Sequence, residues 1–490
     1  MQNVTDELDL QATDESQMPL AIDLDHAVLK TRALDEMCLE VVRSKPALLW
    51  KLLAKFFEGR AAVTGWFSSR RPLNAKDWPV KEAFVAYVKS QAATGREIVL
   101  VTSAHRSVAE VIVSRFPFIS EIIVCDETSS QDGQEKARLL RSRFPDGFVF
   151  AGSKQEDLAV WRESVGGILV DANEKVAKRL RGSGKPVTDF SRPQNTIATL
   201  LLSLRPHQWA KNAIIFVPLI LGGKAGDLTA WWQALIGFFA LSLTASATYI
   251  VNDLWDLPND RKHWSKRLRS IASGNLSIRG AVLLAVFLLA SGFGLVSTSG
   301  FEPFVVLLAY LVLTLSYTFV WKRLPIVDVV VLASLFTVRL LLGIVLTDVL
   351  LSPWLLVFSM FVFLSLSVAK RHTEVLRLAQ HGIERLPGRG YMAADAPLTL
   401  SIGLASAHGA VLIMIVYLIE DAFSRDSYAS PIYLWAIPLF LFLFLGRIWL
   451  VSHRGELHDD PVAFALSDRA SLLLGFCMGV SLLIALIGLG

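Results

Sequence analysis

Residues 252–261, Asn-Asp-Leu-Trp-Asp-Leu-Pro-Asn-Asp-Arg, place three carboxylates, Asp253, Asp256 and Asp260, directly after an apolar run long enough to cross a bilayer. Ionisable groups at such a depth are costly and mark functional sites. Offsets of three and seven residues put all three on one face of a helix, within an arc of roughly 60°. Together they can hold a hard cation. Mg²⁺ takes a few carboxylate oxygens and leaves its other positions to water and phosphate, so the spacing points to a diphosphate carried by metal. Pro258 removes a backbone donor inside the stretch, and a broken helix end is expected there.

A second group of carboxylates lies near the start of the chain. Residues 19–28, Pro-Leu-Ala-Ile-Asp-Leu-Asp-His-Ala-Val, read as a short strand ending in Asp23 and Asp25. An Asp at the carboxyl edge of a strand is well placed as nucleophile or metal ligand. None of the nine histidines pairs with another histidine or a cysteine at zinc-ligand spacing, so no zinc site is expected.

The elements that must position these residues fall into two halves. At 490 residues and 53% hydrophobic content the chain is too long for one ordinary domain and too apolar for a wholly soluble one. Residues 1–18 are polar and acidic without an apolar core, as in a disordered leader and not a signal peptide. From 19 to 190 apolar runs at 19–28, 97–103, 121–125, 147–151 and 167–170 alternate with helical patterns, which implies an α/β doubly wound parallel sheet. Residues 181–193 have the Gly, Ser, Lys and Pro content of a linker, and the domain division expected is 19–190, a linker at 191–200 and a membrane domain at 201–490. Cys38, Cys125 and Cys477 are far apart and suggest neither a disulfide framework nor a metal site. The net charge of +4 says little by itself, and no nucleic-acid partner is expected.

Beyond residue 200 apolar spans recur at about 201–222, 230–251, 279–298, 303–321, 326–347, 352–369, 399–419, 432–452 and 469–489, giving an all-α polytopic domain of about nine transmembrane helices. Lys and Arg concentrate in the loops after the even-numbered spans. The positive-inside rule therefore puts those loops, the aspartate stretch and the N-terminal domain in the cytosol, with the protein in the inner (cytoplasmic) membrane. Arg205 and Lys211, before the first span, suit phosphate binding or interfacial anchoring equally. Asp328 and Arg339, eleven residues apart within one span, share a helix face on which they could pair or line a cavity, with a structural ion pair as the alternative. Residues 370–374 and 388–391 add cations, while 458–461 and Asp468-Arg469 would look the same as a solvated charged loop.

With these motifs in place, the N-terminal half resembles the haloacid dehalogenase (HAD) superfamily of phosphatases over most of 19–190. Asp23-Leu-Asp25 resembles its DxD motif, Thr102 its strand-end hydroxyl, Lys136 its phosphate-binding lysine and Asp157 the metal-binding acid of its last motif. The likeness implies Asp23 as nucleophile, Asp25 as general acid/base, Asp23 and Asp157 as metal ligands, and residues 34–77 as a helical cap. Ala27 replaces the usual Thr, and Ser153 stands where the common phosphatases place an Asp. Two readings are open, a phosphatase and a retained fold that binds or regulates without catalysis.

The membrane half resembles the UbiA superfamily of intramembrane prenyltransferases over 200–490, and within it most closely the decaprenyl-phosphate phosphoribosyltransferase branch. The likeness is carried by Arg-Pro-x-Gln-Trp-x-Lys-Asn, Tyr-Ile-Val-Asn-Asp, Asp260-Arg261, Lys266-Arg267-x-Arg269 and Ala-Lys-Arg. The second acidic motif of ordinary prenyltransferases is reduced here to Asp328. The resemblance implies Mg²⁺ on Asp253, Asp256 and Asp260, and a soluble diphosphate donor. It also implies a polyprenyl phosphate or other isoprenoid lipid as acceptor, bound from the lipid bilayer. Lys211, Arg261, Arg267, Lys322, Lys370 and Arg371 are the spare cations for the donor monophosphate and the acceptor phosphate, with Asn252, Tyr317, Asp328 and Arg339 completing the substrate-binding set. Transfer of a prenyl group to an aromatic or other small acceptor is the competing reading, and a non-catalytic membrane binding protein the third. Oligomeric state is not legible.

Overall fold

The computed structural model describes residues 17–44, 46–59, 62–63, 66–67, 75–104, 106–125, 132–191, 196–386, 388–424, 428–457, 461–465 and 467–488. The leader expected at 1–18 lies almost wholly outside the described residues, as do residues 458–460 of the charged stretch before the last span. The chain forms two compact units: Met1–Ser203 with Asp253–Leu283, and Leu204–Asn252 with Leu284–Gly490.

The first unit is built on six parallel strands in the order β3-β2-β1-β4-β5-β6. They are β1 (Leu20–Asp23), β2 (Ile98–Thr102), β3 (Glu121–Val124), β4 (Val149–Gly152), β5 (Gly166–Leu169) and β6 (Val187–Asp189). The four central strands are buried throughout, which is why they read as unbroken apolar runs: a parallel sheet is covered on both faces. Alternate residues serve opposite cores, Leu20 and Ile22 packing with Leu100 and Ile112 on one face and Ala21 with Val99, Phe150 and Trp161 on the other. The strand order reverses between β1 and β4, so the crevice at their carboxyl ends is the ligand position of a doubly wound sheet. Asp23 ends β1 there, in register with Val101.

The doubly wound class expected from the sequence is found, with helices Ala33–Ser44 and Leu49–Glu58 inserted between β1 and β2 where the cap was expected. β6 is a difference. It falls within the segment read as a linker, because a three-residue, mostly exposed edge strand carries no apolar run to reveal it.

Eight helices among the described residues are long and apolar enough to cross a membrane: Leu228–Lys262, Ile278–Ser297, Phe301–Phe319, Val327–Thr347, Pro353–Gln380, Ala393–Ala422, Pro431–His453 and Arg469–Ile487. The segment expected as a first span at 201–222 is not one helix. It is divided into Thr196–Leu204, a 3₁₀ stretch Pro206–Phe216 and Val217–Leu221, with Arg205 in the left-handed region at φ 53°. Proline at 206 disfavours helical geometry for the residue before it and supplies no amide donor. The 3₁₀ stretch lies close against Val327–Thr347: a Cβ at Gly343 would come to 2.3 Å from the Ile215 carbonyl oxygen, so only glycine permits the approach.

The Leu228–Lys262 helix also differs from expectation, since it runs unbroken through Pro258. Proline leaves the Leu254 carbonyl without its helical donor, and the adjacent Trp255 carbonyl accepts a 2.6 Å bond from Arg43 Nε, an external partner at the point where the ladder is weakened. In its membrane part Ser242, Thr244, Ser246 and Thr248 are buried. The hydroxyls of Thr244, Ser246 and Thr248 bond back to carbonyls of the preceding turn, so a polar helix is satisfied internally.

Candidate active site

The aspartate triplet sits on the last turns of the Leu228–Lys262 helix. Asp253 and Asp260 are buried and Asp256 is half-buried. Arg269, from the loop that follows, joins two of them: its Nη1 lies 3.0 Å from Asp253 Oδ1 and 2.6 Å from Asp260 Oδ2. Arg267 is among the cations expected to bind substrate phosphate. Arg267 is exposed, and it is Arg269, two residues on, that reaches the carboxylates. Arg261, expected as a spare cation, is already neutralised. Its guanidinium makes a two-pronged contact with Glu36, Nη1 to Oε2 at 3.0 Å and Nη2 to Oε1 at 2.6 Å, with both side chains only 5% exposed.

One carboxylate pair holding one nitrogen cation tests the fit of a metal. Among the described residues no three His, Cys, Asp or Glu side chains converge as a metal cluster. Mg²⁺ asks for less, one or two carboxylates with water and substrate phosphate completing an octahedron. Asp253 and Asp260 supply hard oxygen ligands around a position where positive charge is already held by Arg269, so this pair fits the ion.

The second unit contains two further polar centres. Asp328, in the first turn of Val327–Thr347, is fully buried and lies 3.2 Å from Arg371 Nε and 3.3 Å from Arg389 Nη1. Tyr391 donates to Asp328 Oδ1 at 2.7 Å while accepting from the Ile326 amide at 2.8 Å. Burial, with the charge of Asp328 added, pushes the Tyr391 hydroxyl well above its ordinary range, which keeps it protonated as a donor. Arg389 also donates to the Tyr317 hydroxyl at 3.0 Å, and Arg371 is ion-paired with Glu374. Arg339 belongs to the other centre: Nε donates to Asn212 Oδ1 at 3.0 Å and Nη2 to the Tyr310 hydroxyl at 3.1 Å. Asp328 and Arg339, which a shared helix face would have allowed to pair or to line one cavity, belong instead to two separate networks. A shared helix face cannot reveal partners brought by other helices.

Lys322 is buried and its Nζ lies 3.4 Å from Asn252 Oδ1, bringing two expected site residues together. Lys211 and Lys370 are half-buried, on the Pro206–Phe216 stretch and the Pro353–Gln380 helix. Asn212 closes the Arg-Pro-x-Gln-Trp-x-Lys-Asn motif as a structural bridge, donating to Ser242 at 2.9 Å while accepting from Arg339.

In the crevice of the α/β domain, Lys136 Nζ lies 2.7 Å from Asp23 Oδ2, and both are buried. Asp157 Oδ2 accepts from the Ser153 and Lys154 amides, both at 2.8 Å, so that oxygen caps the loop after β4. Gly152 permits the fold-over, since a Cβ there would lie 2.5 Å from the same oxygen. Asp25 Oδ1 accepts from the Ala33 amide at 2.7 Å, at the first turn of Ala33–Ser44, and Thr102 Oγ1 accepts from the Ala104 amide at 2.9 Å. Lys81, which no motif singled out, donates to the Val170 carbonyl at 3.0 Å and sits 3.4 Å from Asp171. Burial holds its ammonium below the usual lysine range, with Asp171 opposing the shift.

Helices long and apolar enough to cross a membrane, one of them ending in an acidic pair that holds an arginine, define a polytopic membrane protein. The sequence profile of the UbiA prenyltransferase family matches residues 213–473. A protein designated y4nM from Sinorhizobium fredii is 37% identical over 480 residues, spanning 98% of this chain and 93% of its own. The decaprenyl-phosphate phosphoribosyltransferase of Mycobacterium tuberculosis is 30% identical over 290 residues, 58% of this chain and 92% of its own. Among solved structures, a UbiA homologue from Archaeoglobus fulgidus bound to GPP and Mg²⁺ covers 59% of this chain and 98% of its own at 14% identity, with a TM-score of 0.45. The chain belongs to the UbiA prenyltransferase family. It is a multi-pass membrane transferase of that family.

Proposed function

We propose that this transferase moves a phosphoribosyl group from 5-phosphoribosyl diphosphate to a polyprenyl phosphate on the cytosolic side of the inner membrane. The observation that carries the reading is the unequal fate of the acidic groups. Asp253 and Asp260 gather a cation, whereas Asp328 is consumed by Arg371 and Arg389 and supplies no second metal-binding pair. The similarity to a decaprenyl-phosphate phosphoribosyltransferase over the membrane half supports the same donor.

Asp253 and Asp260 would hold Mg²⁺, with Asp256 one turn away as a further carboxylate. The ion, when bound, supplies positive charge to the leaving diphosphate. Arg269 is 30% exposed, so it can exchange its carboxylate partners for phosphate oxygens when the donor enters. Lys211, Lys322, Lys370 and Arg267 are the remaining cations proposed for the donor monophosphate and the acceptor phosphate. The acceptor phosphate is ionised before it reacts, so the transfer needs no strong general base. Incubating the purified protein with labelled phosphoribosyl diphosphate and polyprenyl phosphate is expected to give a labelled lipid. Label transferred instead from a prenyl diphosphate to a small aromatic acceptor would establish the competing reading.

The N-terminal domain is proposed to be HAD-like. Lys136 on Asp23, the capping role of Asp157 and Ser153 in place of an acid favour phosphate binding over hydrolysis. Mg²⁺-dependent hydrolysis of sugar phosphates by the full-length protein, abolished in Asp23→Asn, would show instead that the crevice is a working phosphatase. In that case it could remove the ribose phosphate from the lipid product.

A further inference from the structure

The Ala33–Ser44 helix and the end of the Leu228–Lys262 helix meet within one compact unit. Their ties form a pattern that substrate chemistry does not require. Glu36 holds Arg261, the residue after Asp260. Asp35, its neighbour, holds Arg279 at 2.6 Å, so both ends of the loop that carries Arg269 are fastened to adjacent residues of one helix. Two turns further along the same helix, Arg43 reaches the carbonyl of Trp255, which lies between Asp253 and Asp256 in the chain. Lys262 adds a contact with Asp77 at 3.4 Å. Midway along the loop, Gly274 takes φ +76° with its Cα closed against Lys30 and Pro79.

The seam between these two helices is tied by charged contacts. A cavity of about 190 Å³ opens along it, lined by Glu36, Glu40, Arg43, Trp78, Pro258 and Arg261 among others. A two-pronged guanidinium–carboxylate contact fixes a plane as well as a distance. At 5% exposure on both sides, neither charge of the Arg261–Glu36 pair has bulk water as a substitute partner. At the other end of the strut Asp25, from the crevice edge, accepts the amide of Ala33.

We propose that Glu36 is a positioning residue for the transfer site. Through Arg261 it sets the rotation of the helix end that presents Asp253 and Asp260, and Asp35 and Arg43 fasten the flanking loop and turn. The α/β domain thereby serves as a structural partner of the transferase whether or not its own crevice hydrolyses anything. This inference rests on the reading of the two aspartates as the donor site.

The test uses the full-length protein in lipid nanodiscs, comparing wild type with Glu36→Gln, Asp35→Asn and the charge swap Glu36→Arg with Arg261→Glu. Two readouts are taken: hydrogen–deuterium exchange over residues 253–269, and steady-state transfer from labelled phosphoribosyl diphosphate with KM determined for each substrate. Glu36→Gln is expected to lose protection over 253–269 and to raise the donor KM about tenfold, with the KM for polyprenyl phosphate within about twofold of wild type. Asp35→Asn, whose partner Arg279 is half exposed, shifts both readouts the same way by less and covers the case of a Glu36 variant that does not fold. The charge swap recovers part of the lost donor affinity. Unchanged exchange in Glu36→Gln and Asp35→Asn overturns the proposal, as does an equal rise in both KM values with no recovery in the swap. A wild type that does not transfer from this donor defeats the functional reading alone, and the exchange comparison still decides the positioning.

Discussion

Asp23 and Asp260 each meet a basic side chain at under 3 Å, yet the two contacts are of different kinds. Lys136 and Asp23 are 4% and 1% exposed, enclosed by a sheet and its helices. Arg269 is 30% exposed on a loop and divides one nitrogen between two carboxylates. A buried pair is costly to open because either partner alone is left uncompensated. A partly exposed arginine can turn from its carboxylates when substrate phosphate takes the guanidinium and a metal ion takes the carboxylates, so that neither end is left uncompensated. The contrast separates a carboxylate locked into a fold from a carboxylate pair able to exchange one cation for another, and it is the second kind that suits turnover. Asp328 belongs with the first: it is fully buried under two arginines and a tyrosine.

The largest effect is expected at the exchangeable carboxylates. Asp260→Ala or Asp253→Ala is expected to lower transfer by at least about a hundredfold, the scale on which a group stabilising a leaving charge acts. Circular dichroism and thermal unfolding of the α/β domain should stay as in wild type. Transfer within a few-fold of wild type in both variants would move the site elsewhere. Next in size, Asp328→Asn leaves Arg371 buried without its full countercharge and should cost about 3–5 kcal/mol of membrane-domain stability, seen as a lowered detergent-melting temperature. Asp23→Asn, by the same argument at Lys136, should lower the melting temperature of the N-terminal domain while transfer changes little. By contrast Arg269→Ala should raise the donor KM, an effect on transfer that Asp23→Asn does not share and that would vanish if Arg269 were as locked as Lys136.

The smallest expected effect concerns pH. Burial depresses the Lys81 ammonium in the folded state below its unfolded value. Its charge is therefore a penalty to folding that is fully present below the folded value and disappears as pH rises through it towards the unfolded value. Thermal stability should gain accordingly across that alkaline window, and Lys81→Met should flatten this part of the profile. An unchanged slope in Lys81→Met would place the titration on another group.

What the sequence disclosed and what it concealed follow from the range of the interactions. β1, β2, β4 and β5 were legible as continuous apolar runs because a two-sided core demands them, and the 253/256/260 spacing was legible because a helix repeats locally. β6 was not, for Val187–Asp189 is an exposed edge in a segment of linker composition. Pro258 suggested a break that Arg43, more than two hundred residues away in sequence, helps to make unnecessary. The same distance hid Glu36, whose partner Arg261 looked like a free cation when only its neighbours in the sequence were considered. Arg269 stood in the same basic run as Arg267, and only the turn of the chain after Lys262 decides which of them faces the aspartates. Residues 388–391 read only as a source of cations, with no local sign that Arg389 and Tyr391 both meet Asp328.

Phosphoribosyl transfer at an aspartate-held cation is read out by mass spectrometry of the lipid formed from phosphoribosyl diphosphate and polyprenyl phosphate. Purified wild type and Asp260→Ala are each assayed with Mg²⁺ and with chelator. Wild type with Mg²⁺ is expected to make a phosphoribosylated polyprenyl phosphate that is absent from the other three reactions. No such lipid from wild type, together with a prenylated product when a prenyl diphosphate is supplied, would contradict it.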